Sequence, residues 1–121
     1  MADSDTMRDL EELKRRQREF VALRDWERFH SPKNLAMALA VEAAELMELF
    51  QWLSEEQSAA PDAELRRRAA EELADVLWFL VRIADRLDID LMAAAESKFA
   101  DNERKYPAAR VRGQSRKYDE Y

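Results

Sequence analysis

Residues 35–53 read LAMALAVEAAELMELFQWL, and residues 73–84 read LADVLWFLVRIA. In the first stretch only Glu42, Glu45, Glu48 and Gln51 interrupt the apolar residues. In the second only Asp75 and Arg82 do, with Glu72 standing just before it. Carboxylates are rarely buried unless paired, and an isolated buried one is driven to take up a proton. Glu42 and Glu45 are spaced i, i+3, and so are Glu72 and Asp75. On a helix that spacing puts both members of a pair on one face. Two such faces meeting would offer four oxygen ligands to a hard divalent cation such as Mg²⁺.

Around these stretches helical periodicity dominates. The chain has one glycine, Gly113, and three prolines, which disfavours a turn-rich β fold and excludes a Gly-rich phosphate loop. A first helix is expected from about Thr6 to Arg28. Ser31 and Pro32 read as N-cap and first residue of a second, running to about Leu53. Ser54 to Pro61 is small and polar and reads as a loop. A third helix follows from about Asp62 to Leu87. Asp90 caps a fourth that ends near Tyr106, before Pro107. The remainder, from Ala108, reads as an irregular basic arm. The expectation is an all-α, four-helix bundle forming a single domain over residues 1–121. The apolar surface of the second and third helices exceeds what one small bundle covers, so self-association is expected, as a homodimer or a homotetramer built from dimers.

Composition narrows the function classes. The 121 residues are 47% hydrophobic and 38% charged, with a net charge of -6 and no cysteine. The acidic balance disfavours general nucleic-acid binding. Without cysteine there is no disulfide framework or thiolate metal site, which fits a cytoplasmic location. The N-terminal residues are polar and acidic, unlike a signal peptide. The apolar run of residues 35–53 carries three Glu near its middle, which argues against a membrane span. Against the acidic total, the segment from Arg104 to Lys117 holds six basic residues and no acidic one. It reads equally as a solvated tail or as an anion clamp.

The spacing Glu42-x-x-Glu45, then 26 residues, then Glu72-x-x-Asp75 resembles the MazG-like group of all-α nucleoside triphosphate pyrophosphohydrolases. The text RDWERFHSPKNL (24–35), EAAELMELFQW (42–52), EELADVL (71–77), SKFADNERKYPA (97–108) and RGQSRKY (112–118) resembles the dCTP pyrophosphatase branch of that group. The resemblance implies Mg²⁺-dependent cleavage between the α- and β-phosphates, with Mn²⁺ as a substitute ion. It implies that Glu42, Glu45, Glu72 and Asp75 are the metal ligands and catalytic carboxylates. Glu45 is the first candidate for the group that accepts the proton of the attacking water, and Glu71 and Glu48 are weaker ones. It places phosphate contacts on Lys98, Asn102 and Lys105, one face of the fourth helix, and on Ser115, Lys117 and Tyr118. It places the base against Trp26, Trp52 and Phe79, with Gln17 close by. Some members of the branch carry His at the position of Gln17 and Tyr at that of Phe79, a departure that bears on preference for cytosine.

Other classes fit less well. A di-iron bundle needs two Glu-x-x-His motifs, and the chain has one histidine, His30, which reads as a surface or capping residue. A structural or adaptor helical oligomer would leave its glutamates exposed and indifferent to Mg²⁺. A nucleotide sensor that has lost its chemistry would not need all four carboxylates.

Overall fold

The computed structural model describes residues 7–115 and 118–120, and among these there is no β-strand. The chain divides into two compact units, Met1–Asp88 and Ile89–Tyr121. The first unit contains helices α1 (Leu10–Leu23), α2 (Pro32–Glu48), α3 (Glu55–Ala59) and α4 (Ala63–Arg86). The second contains α5 (Leu91–Lys105) and the short α6 (Ala108–Val111). The all-α class is therefore as expected.

Capping side chains set most of the helix starts. Asp9, Ser31, Ser54, Asp62 and Asp90 each accept a hydrogen bond from the backbone N–H three residues on, satisfying one of the free donors of the first turn. Pro32 at the first position of α2 has no N–H to satisfy.

Four expectations are corrected. The first helix is shorter than Thr6 to Arg28. It begins after the Asp9 cap, and Asp25 leaves it in the left-handed region at φ 53°. The Trp26 N–H bonds to the Val21 carbonyl at 3.1 Å and the Asp25 N–H to the Ala22 carbonyl at 3.2 Å. This is a Schellman ending made without glycine, an Asp tolerating the left-handed conformation in its place. The second helix stops at Glu48, and residues 49–53 form successive turns. The expected loop from Ser54 to Pro61 contains α3, closed by a capping box in which Ser54 and Gln57 satisfy each other's backbone. Past Pro107 the arm is not wholly irregular, since α6 and a 3-10 turn at Tyr118–Glu120 lie within it.

In the first unit α2 packs chiefly against α4, and α1 against α4 more sparsely. Among the described residues the fully buried apolar side chains are few: Val21, Leu35, Val81 and Ala84. Two polar residues, Gln17 and Arg82, are buried as completely. Met37, Val41 and Met47 of α2 and Leu73, Leu77 and Leu80 of α4 are exposed. Glu42 shares its half-buried face of α2 with Ala38, Leu39 and Leu46, and the C-cap Leu49 continues it. Glu72 shares its face of α4 with Leu65, Ala69, Val76, Phe79 and Ile83. The packing of these two faces is what brings the acidic residues together. No helix among the described residues is long and apolar enough to cross a membrane.

Candidate metal centre and substrate site

Glu42 and Glu45 of α2 and Glu72 of α4 each direct one carboxylate oxygen into a group whose members all lie within 4.8 Å of one another. Glu42 and Glu72 are half-buried and Glu45 is exposed at the edge. Oε2 of Glu42 and Oε2 of Glu72 are buried and have no hydrogen-bond partner. Three carboxylates this close repel, and removal from water adds to the cost of their charge. Burial first, and then the neighbouring Glu45, Asp75 and Glu72, push the Glu42 carboxyl up to about 7. Burial likewise raises Glu72, followed by the effects of Glu45 and Asp75. Asp75 lies outside the trio that meets within this distance, but its charge reaches both.

Oxygen donors in this number, with two buried oxygens left without partners, fit a hard divalent cation. A cation would satisfy the orphaned oxygens and neutralise the repulsion together. Glu71, the next residue to the cluster, instead accepts from Arg67 at 2.6 Å. Glu48 is exposed at the end of α2.

The expected base-binding residues occupy two places in the first unit. Gln17 is buried, donating from Nε2 to the Trp78 carbonyl at 2.7 Å, and its Oε1 is buried without a partner. With Met7, Leu13, Arg16, Phe20 and Trp78 it lines a cavity of about 160 Å³. Trp26 sets its ring edge-on to Phe20 at 5.7 Å and is 42% exposed. Phe79 meets Trp78 edge-on at 5.3 Å. Trp52 stands apart in the turns after α2 and is 87% exposed.

Two residues the sequence reading passed over, Trp78 and Arg82, join these elements. Trp78 touches Phe20, His30 and Phe79. Its place as an aromatic within the apolar run of residues 73–84 was the available signal. His30, expected as a surface or capping residue, is the C-cap of the 3-10 turn Glu27–Phe29 but is half-buried rather than on the surface, and its Nδ1 accepts from Arg82 Nε at 3.2 Å. Burial, then the charges of Arg82 and Arg86, lower its pKa, which keeps it neutral and able to accept.

The expected phosphate contacts belong to the second unit. Lys98 and Asn102 are exposed on α5, Lys105 is half-buried at its end, and Ser115 is exposed beyond α6. Tyr118 opens the 3-10 turn. Lys117 lies outside the described residues.

Comparison with known proteins follows the same lines. A family model described as MazG-like matches residues 37–121. Human dCTP pyrophosphatase 1 is 49% identical over 113 residues, 92% of this chain and 66% of that protein. Rat dCTP pyrophosphatase 1 is 46% identical over 111 residues, 90% of this chain and 65% of that protein. The chain thus spans just under two thirds of the length of these relatives. The crystal structure of a pyrophosphatase from Archaeoglobus fulgidus superposes with a TM-score of 0.75 at 39% identity, covering 84% of this chain and 94% of that one. The family match spans most of the chain and includes both acidic pairs, and the chain belongs to the MazG-like family.

Proposed function

We propose that this chain is a Mg²⁺-dependent nucleoside triphosphate pyrophosphohydrolase that converts a pyrimidine deoxynucleoside triphosphate, dCTP first, to the monophosphate and pyrophosphate. The observation that carries the reading is the meeting of Glu42, Glu45 and Glu72 with two buried, unpartnered oxygens. The names of the human and rat relatives supply the substrate class.

Glu42, Glu45, Glu72 and Asp75 hold the metal in this reading. When bound, Mg²⁺ supplies charge neutralisation of the triphosphate and polarisation of water. The protein's own task is placement. Glu45, the exposed member of the trio, accepts the water's proton at its carboxylate, within reach of solvent. The more enclosed Glu42 and Glu72 are suited to holding the ion. Lys98, Asn102, Lys105, Ser115, Lys117 and Tyr118 bind phosphate oxygens. Trp26, Trp52, Phe79 and Gln17 receive the base, which needs flat apolar walls and a few placed polar groups.

Residues 1–121 act as one functional domain in a homo-oligomer, a tetramer built from two dimers, which covers the exposed apolar side chains of α2 and α4. A cysteine-free chain of this kind suits a cytoplasmic, nucleotide-pool house-cleaning role. The test is pyrophosphate release across the common NTPs and dNTPs, with and without Mg²⁺, with added inorganic pyrophosphatase as reporter. Mg²⁺-dependent signal, greatest with dCTP, supports the reading. Orthophosphate released without the reporter enzyme contradicts it.

A further inference from the structure

Arg82 is the most deeply buried charged residue described, its side chain 1% exposed in the middle of the apolar run of α4. Its Nε donates to His30 Nδ1 at 3.2 Å. Its other nitrogens lie 3.5 Å from Asp85 and 3.6 Å from Glu27. One turn along α4, Arg86 Nε donates to the His30 carbonyl at 3.0 Å. Two arginines of α4 therefore grip both the ring and the backbone of His30, and Arg82 also reaches Glu27. These residues close the segment between α1 and α2, and that segment carries Trp26.

Trp26 leaves α1 through the Schellman ending at Val21 and Ala22, which fixes where its backbone starts. Its ring then lies between Phe20 at 5.7 Å and His30 at 6.4 Å. His30 in turn meets the edge of Trp78 at 5.9 Å. A buried arginine is a poor device for stability alone, because a well-packed apolar residue commonly serves as well. What it adds is direction, through hydrogen bonds at fixed angles.

We infer that Arg82 is a positioning residue for substrate: through its hydrogen bond to His30 it holds the Trp26 indole in the orientation that stacks on the nucleobase. The inference rests on the base-binding role proposed above for Trp26. Arg82 itself touches neither phosphate nor base. Its influence falls on KM and on base preference, and the acidic cluster keeps its chemistry.

The experiment uses the whole chain with saturating Mg²⁺ and compares Arg82→Met, Trp26→Ala and the double variant, with dCTP and dUTP. Arg82→Met should raise KM for dCTP about tenfold, the scale of a weakened base stack, with kcat within about threefold. In the Trp26→Ala background the same change should add less than about twofold, because coupled residues are not additive. The Trp26 signal, taken as the fluorescence difference between wild type and Trp26→Phe, should shift to longer wavelength in the Arg82→Met protein. Should Arg82→Met fail to fold, His30→Ala removes the hydrogen-bond acceptor and must give the same KM shift and the same spectral change. An equal KM increase with and without Trp26, or an unchanged Trp26 signal, overturns the inference. If Trp26→Ala alone leaves KM unchanged, the base assignment falls, and the role in substrate binding with it. The spectrum separately reports whether Arg82 anchors the ring.

Discussion

Glu42 on α2 and Glu72 on α4 bring a carboxylate oxygen each to within 4.8 Å of the other, and each buries an oxygen with no hydrogen-bond partner. Such an arrangement is unfavourable for the metal-free protein. It is held by the packing of two apolar helix faces.

Stability of the metal-free protein should therefore depend on pH. The Glu42 carboxyl is raised in the fold to about 7, from an ordinary value of 4.5. A raised carboxyl contributes most below its unfolded value, and that contribution is lost as pH climbs through the folded value. Without metal, the melting temperature should fall between about pH 4.5 and 7. Mg²⁺ should restore more stability at pH 8 than at pH 5, since protons compete for the same oxygens. Thermal melts at both pH values, with Mg²⁺ and with a chelator, check this. Equal stabilisation by Mg²⁺ at both would count against metal binding by these carboxylates.

Asp85→Asn should destabilise the first unit strongly. Asp85 is 9% exposed, accepts from Arg18 at 2.8 and 2.6 Å, and faces the buried Arg82. Removing one partner of a buried ion pair costs about 3–5 kcal/mol, and the exposed Arg18 places this one toward the lower end. By contrast Arg67→Ala, which breaks the solvated contacts to Glu64 and Glu71, should leave the midpoint of urea unfolding unchanged within error.

Trp52→Ala should keep the melting temperature, because the side chain is 87% exposed. If Trp52 stacks on the base, KM should rise roughly tenfold to a hundredfold, with weaker discrimination between bases. Wild-type KM and base ranking in this variant would remove Trp52 from the pocket.

Self-association should hold at micromolar concentration, and light scattering should report a mass of two or four chains. The exposed Met37, Val41, Met47, Leu73, Leu77 and Leu80 are the motive. A single species of 14.2 kDa would contradict this. Met37→Glu combined with Leu73→Glu should shift the mass downward if these faces form the contact.

Much of the fold was legible because caps and periodicity are local. Ser31 with Pro32, Asp62 and Asp90 start their helices where expected. The end of α1 was not legible, since an Asp in the left-handed conformation replaces the usual glycine. The Ser54-x-x-Gln57 capping box was present in the sequence but hidden in a polar stretch that otherwise reads as loop. In the site, i, i+3 spacing announced each acidic pair on its own helix. Which oxygens meet depends on how α2 and α4 pack, and there Glu45 joins the trio while Asp75 stays outside it. The pairing of Arg82 with His30 was not legible because it joins residues far apart in the chain, and neither residue alone has a periodic signature.

The most direct test of the metal centre is Glu45→Gln, assayed for pyrophosphate release from dCTP at saturating Mg²⁺. The side chain is exposed, so the amide should leave the fold intact, as circular dichroism would confirm. Loss of a ligand and proton acceptor should reduce kcat at least about a hundredfold, the lower bound for a general base. A correctly folded Glu45→Gln protein that releases pyrophosphate at close to the wild-type rate would contradict the assignment of the carboxylate cluster as the catalytic centre.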